Sequence, residues 1–198
     1  MKKDMLKRSN GKHRRIIFSD EKLFSIEQNP EAEKRKSVVW AVISRKGKSR
    51  LVFIEEGVKI DRVVYMDILE EDLILWANDL FGEEQWYFQQ NGAPSHKAIK
   101  TQAFLRENCP DFISIDTHWL RADGEWPPNS LDLNPLDYSI WSILEAKACA
   151  KPHKTIESLK RALIKAWNEI TLEQLASIID NFPKRLKACV EAKGGHFE

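Results

Sequence analysis

One stretch constrains this chain more than any other: Trp86-Tyr-Phe-Gln-Gln-Asn-Gly-Ala-Pro-Ser-His96. Trp86 to Gln89 reads as a buried strand, and Gly92 and Pro94 break it and aim the turn that follows. Gln90 and Asn91 therefore fall at the strand's carboxyl edge, where open α/β sheets usually keep their chemistry. An ordinary strand-to-helix loop has the same signature, so the neighbouring segments must decide.

Upstream, Arg15 to Ile26 is an apolar run that stops at Ser19-Asp20-Glu21 and resumes at Leu23. A strand buried on both faces has no reason to carry a carboxylate in its middle, so Asp20 is either a surface-edge residue or a functional one. Val38 to Ser44 and Ser49 to Glu55 are β-branched runs joined by Arg45-Lys-Gly-Lys48, which reads as a hairpin. From Asp61 to Leu80 the period changes, and Val64, Ile68, Leu75 and their apolar neighbours predict a helix lying on the sheet. A helical crossover before the Trp86 strand favours parallel pairing with the first strand. That pairing would set Asp20 beside Asn91.

Downstream, a helix is expected from His96 to Cys109, stopped by Pro110, then a short strand at Phe112 to Ile115 and a loop from Asp116 to Glu125. In the block from Trp126 to Trp141, Pro135 suits the first position of a helix with Asn134 as its cap. Asp137 then falls in the first turn, where the helix dipole favours an anion. Thr155 to Ile170 is amphipathic, and Thr171 with Gln174 forms a capping box for a further helix ended by Pro183. Both of these helices read as packing elements.

With 198 residues, 42% hydrophobic and 31% charged, the chain is long enough for one well-buried domain and too apolar for wholesale disorder. Its net charge is only +1, but the distribution is uneven. Lys2 to Arg15 holds seven basic residues against one acid, and Lys184, Arg185, Lys187 and Lys193 face the single Glu191. Basic ends suit a nucleic-acid partner and solvated tails alike. Cys109, Cys149 and Cys189 form no zinc spacing or disulfide framework, which points to a reducing compartment. No apolar run approaches the roughly 18 residues of a membrane span, so no membrane partner is expected. Residues 1–14 read as a basic linker, expected to continue something before it, and 15–198 as the folded domain.

Asp20, Asn91 and Asp137 thus converge on one sheet edge. Carboxylates gathered in this way bind hard divalent ions such as Mg²⁺, and two ions can activate a nucleophile and stabilise a leaving oxygen in phosphoryl transfer. Phe18-Ser-Asp-Glu-Lys22, Val39-Trp40, Phe88-Gln-Gln-Asn-Gly-Ala-Pro-Ser-His96 and Trp126-Pro-Pro-Asn-Ser-Leu-Asp-Leu-Asn-Pro-Leu-Asp137 resemble the blocks of the Tc/mariner superfamily of DNA transposases. Phe182-Pro-Lys-Arg-Leu-Lys187 and Lys193-Gly-Gly-His196 are similar to that family's C-terminal end. The resemblance implies an RNase H-like α/β fold, a five-stranded mixed sheet flanked by helices. It also implies an acidic triad holding two Mg²⁺ or Mn²⁺ ions, with Asp20 first, Asn91 at the second place and Asp137 third; Asp132 is the runner-up for the third. Gln90 and His96 match motif positions near the metals, where they touch substrate or fix the loop. The implied partners are DNA, as transposon ends and target, and a second copy in a homodimer. The expected location is the nucleus, and no small-molecule cofactor is implied.

Two departures from the family pattern stand out. Aspartate is usual where this chain has Asn91, which keeps a carbonyl acceptor but supplies no charge. The 46 positions from Asn91 to Asp137 (137 − 91) exceed the family spacing, the excess falling within Asp116 to Glu125. Ser130-Leu131 also stands where Ser-Pro is usual, and the sequence is expected to start in the linker that follows the family's helix-turn-helix modules, without those modules themselves. These features predict a transposase catalytic domain with impaired cleavage. The alternative is a domesticated, inactive nucleic-acid-binding protein, and a nuclease acting on structured nucleic acid is a third reading.

Overall fold

The structure is a computed structural model that describes residues 11–26, 36–117, 124–126 and 131–192. Most of the linker reading, the 118–123 part of the long loop, residues 127–130 and the ending from Lys193 lie outside them. The sheet is built on β1 (Ile16–Ser25), which pairs antiparallel with β2 (Lys36–Ser44) and parallel with β5 (Tyr87–Gln89). β3 (Gly47–Lys48) and β4 (Val52–Ile54) both pair antiparallel with β2, completing the expected hairpin and a five-stranded mixed sheet. Phe112 adds one parallel bridge to Phe88, in place of the expected short strand.

β1 is apolar on both faces because helices cover both. Ile16, Phe18 and Phe24 join one core and Ile17 the other, as alternation along a strand requires. The Ile17 face is covered by α1 (Arg62–Ile68), a π-helical segment (Leu69–Ile74), α2 (Leu75–Phe81), α3 (Pro94–Lys97) and α4 (Ile99–Asn108). The Ile16 face is covered by a second π-helical segment (Leu136–Ile140) running into α5 (Trp141–Ala148), then by α6 (Ile156–Asn168), α7 (Leu172–Asp180) and α8 (Phe182–Glu191).

Three helix expectations change in detail. Leu75 is 65% exposed, because the wider π turn before it shifts the phase of the buried stripe to Tyr65, Ile68, Leu69, Leu73, Ala77 and Phe81. The helix expected from His96 breaks at Ala98, whose ψ is 137°. Side chains take over the freed carbonyls: Thr101 Oγ1 donates to Ser95 O at 2.9 Å and Gln102 Nε2 to His96 O at 2.8 Å. Pro183 sits in the first turn of α8 rather than simply ending α7.

The capping box is present, with Gln174 N–H donating to Thr171 Oγ1 (3.3 Å) and Thr171 N–H to Gln174 Oε1 (2.9 Å). Thr171→Ala is expected to cost about 1 kcal/mol in chemical denaturation; no change would mean that α7 is held by packing alone. The stem of the long loop is closed. Trp126 N–H donates to Ser114 O at 2.9 Å and Gly124 N–H to Asp116 Oδ1 at 2.7 Å, in a backbone approach so close that a Cβ on Gly124 would collide with Ile115 and Asp116. At the other end of the chain, Lys12–Arg15 forms a 3₁₀ turn whose buried His13 meets Asp180 of α7 at 3.2 Å.

Candidate active site at the sheet edge

The parallel register of β1 and β5 aligns Ile16 with Tyr87, Ile17 with Phe88 and Phe18 with Gln89. Carried two residues further, it sets Asp20 opposite Asn91, as the sequence predicts. Asn91 Nδ2 donates to Asp20 Oδ1 at 3.2 Å. The third member arrives from the other side. Asn134 accepts the Leu136 N–H at 3.1 Å and donates through Nδ2 to Ser19 O at 3.0 Å, fastening the start of the helical run, with Pro135 at its head, to β1. Asp137 in that first turn hydrogen-bonds the Asp20 carboxyl.

Asp20 is 7% exposed. Burial, then the neighbouring charge of Asp137, pushes its carboxyl up to about 8, while the indole N–H of Trp141, donating to Oδ2 at 2.7 Å, works against the rise. Asp137 is also raised, again chiefly by burial, with its hydrogen bond to Asp20 and the charge of Lys22 opposing. A buried and a half-buried carboxyl side by side avoid carrying two full negative charges most cheaply by sharing one proton.

Gln90 and His96 are 0% and 1% exposed. Tyr65 Oη donates to Gln90 Oε1 at 2.7 Å, and the Tyr65 ring stacks on the His96 imidazole with centroids 3.9 Å apart. Of the two roles the sequence leaves open, the burial of both side chains fits fixing the loop. Asp132 lies in a turn, its carbonyl taken by Arg185 Nε at 2.6 Å.

Three participants escape sequence reasoning: Glu21, Tyr65 and Trp141. Glu21 Oε1 lies 3.1 Å from His96 Nε2, and Oε2 accepts from Asn91 Nδ2 at 3.4 Å. Strand alternation could have found it, since the residue after Asp20 must face the opposite helices. Asn91 also differs from expectation. The carbonyl Oδ1 that the sequence credits to it accepts the Ala93 N–H at 3.0 Å, and its amide nitrogen is the side that meets Asp20. Among the described residues, no three or more His, Cys, Asp or Glu side chains are grouped so as to hold a metal ion.

A mixed sheet with helices on both faces, carrying two carboxyls at the edge shared by β1 and β5, has the RNase H-like fold. No family model matches the chain. Two curated relatives are the Tcb1 transposase of Caenorhabditis briggsae and the Tc3 transposase of Caenorhabditis elegans. The first is 30% identical over 135 residues, 68% of this chain and 45% of that protein. The second is 24% identical over 201 residues, 91% of this chain and 56% of that protein. The chain thus spans about half the length of these relatives. The crystal structure of the catalytic domain of Mos1 mariner transposase superposes with a TM-score of 0.77 at 21% identity, over 98% of this chain and 91% of that one. Other matching Mos1 structures are a paired-end complex with the left transposon end and catalytic domains with Mn and with Mg. The chain is a relative of the Tc/mariner transposases, and its fold is that of their catalytic domain.

Proposed function

We propose that the chain is the catalytic domain of a cut-and-paste DNA transposase, an enzyme of metal-dependent strand cleavage and transfer, impaired in this copy because Asn91 stands in the place of the second acid. The observation that carries the reading is the β1–β5 register, which sets Asp20 against Asn91 on the edge where Asp137 arrives. The likeness to Mos1 paired-end and strand-transfer complexes supports DNA as partner, pairing of two copies and DNA integration as outcome. Mos1 structures with Mn and with Mg support a divalent ion as the cofactor. The nucleus follows from a DNA substrate.

The side chains here do not complete a two-ion site. Asn91 turns a donor toward Asp20 and its carbonyl toward Ala93, and both Asp20 oxygens already accept an N–H. The test is nicking of supercoiled plasmid in Mn²⁺ or Mg²⁺. Asn91→Asp is expected to exceed the natural chain at least about tenfold, about 1.4 kcal/mol of barrier, and adding Asp20→Ala or Asp137→Ala should abolish the gain. Equal activity of the two chains would remove position 91 from the site.

The closed hydrogen bonding of Asn91 also favours a second reading, a domesticated nucleic-acid-binding protein that needs no metal. Salt-sensitive DNA binding in EDTA, with no nicking by the Asn91→Asp chain, would select it.

A further inference from the structure

Asn91 is turned away from service as a ligand and toward service as a tie. Its Nδ2 reaches two carboxylates that project from successive positions of β1, Asp20 Oδ1 at 3.2 Å and Glu21 Oε2 at 3.4 Å. The second oxygen of Glu21 lies 3.1 Å from His96 Nε2, and His96 Nδ1 lies 3.1 Å from the backbone oxygen of Asn91 itself. These contacts run from amide to carboxylate to imidazole and back to residue 91. Stacking of Tyr65 on His96 and the Gln102 bond to His96 O hold the imidazole against α1 and α4.

We propose that the Asn91 amide does here what a cation does in a metal-loaded site: it draws Asp20 and Glu21 together, with Glu21 and His96 as positioning residues, so that the edge closes without a divalent ion. The inference rests on the reading above that position 91 is the second member of the site. An amide NH₂ supplies two donors, enough for two carboxylates, and adds no charge. A carboxylate at the same place would present acceptors to the acceptors of Glu21 and of the Asp20–Asp137 pair, a crowding of negative charge that a cation relieves. Asparagine therefore exchanges metal dependence for a metal-free fold.

Thermal unfolding of the natural chain and of Asn91→Asp, each in EDTA and in excess Mn²⁺, tests this. The natural chain should melt within about 1 °C of the same temperature in both buffers, while Asn91→Asp should melt about 4–8 °C lower in EDTA and recover in Mn²⁺. Should the single variant fail to fold in EDTA, Glu21→Gln added to it removes one of the crowded charges and should restore folding there. The proposal is overturned if Mn²⁺ raises the natural chain as much as the variant, if Asn91→Asp is as stable as the natural chain in EDTA, or if Glu21→Gln rescues nothing. Plasmid nicking by the same preparations separates the two readings. Mn²⁺ rescue of Asn91→Asp without nicking leaves the tie standing and sinks the catalytic reading. Nicking by the variant, with Mn²⁺ stabilising both chains alike, does the reverse.

Discussion

Phe182→Ala is expected to destabilise the protein by about 3–5 kcal/mol, the usual cost of deleting a fully buried aromatic ring. Phe182 is 0% exposed and stands at the start of α8. Its ring meets Phe18 of β1 edge-on, with centroids 5.2 Å apart, and lies parallel to Trp126 at 6.5 Å. It therefore joins three distant parts of the chain: the central strand, the stem of the long loop and the last described helix. A domain of this size has only about 5–15 kcal/mol in total, so the loss should appear as a large fall in the urea midpoint. Phe182→Leu, which keeps most of the buried area, should cost about a third as much. A loss below about 1 kcal/mol for the alanine variant would mean that α8 is an appended helix outside the core.

The parts of this fold legible in the sequence are those governed by local periodicity and by chain connectivity. The β-branched runs before and after Arg45-Lys-Gly-Lys48 leave little besides a hairpin, and the helix between it and Trp86 calls for a parallel crossover, which fixed the Asp20–Asn91 pairing. The cap at Asn134 and the box at Thr171 follow from side chains that bond their own neighbourhood. What was not legible depends on contacts between distant residues. The π segment at Leu69–Ile74 moves Leu75 to the surface, and no one-residue phase shift can be read from a simple 3.6 period. Trp141 lies 121 positions from Asp20 and looks in sequence like any core tryptophan. Asn91 was legible as a missing charge but not as a donor, because the direction of an amide is set by its partners, here Ala93, Asp20 and Glu21.

Trp141 joins core and site in one side chain, and substitutions at that position should separate the two contributions. The residue is 1% exposed, packs edge-on against Phe24 with centroids 6.1 Å apart, and donates its only N–H to Asp20. Trp141→Ala removes both roles and should cost about 3–5 kcal/mol. Trp141→Phe keeps most of the apolar area and deletes the donor, so its cost should be about 1–3 kcal/mol, that of a buried polar group left without its partner. The phenylalanine variant should also depend on pH. Asp20 is raised from 3.8 to about 8 on folding, so the folded state holds a proton that the unfolded chain has released. The stability from that proton is full below about pH 4 and is lost as pH rises through about 8, at up to about 1.4 kcal/mol per unit. Because the Trp141 N–H favours the ionised form, removing it moves the folded-state pKa still higher and extends the loss to more alkaline pH. The gap between the natural chain and Trp141→Phe should therefore be small at pH 6 and widen above pH 8. Urea midpoints at the two pH values measure it, and a gap that stays constant would show that the indole N–H supports packing rather than the charge on Asp20.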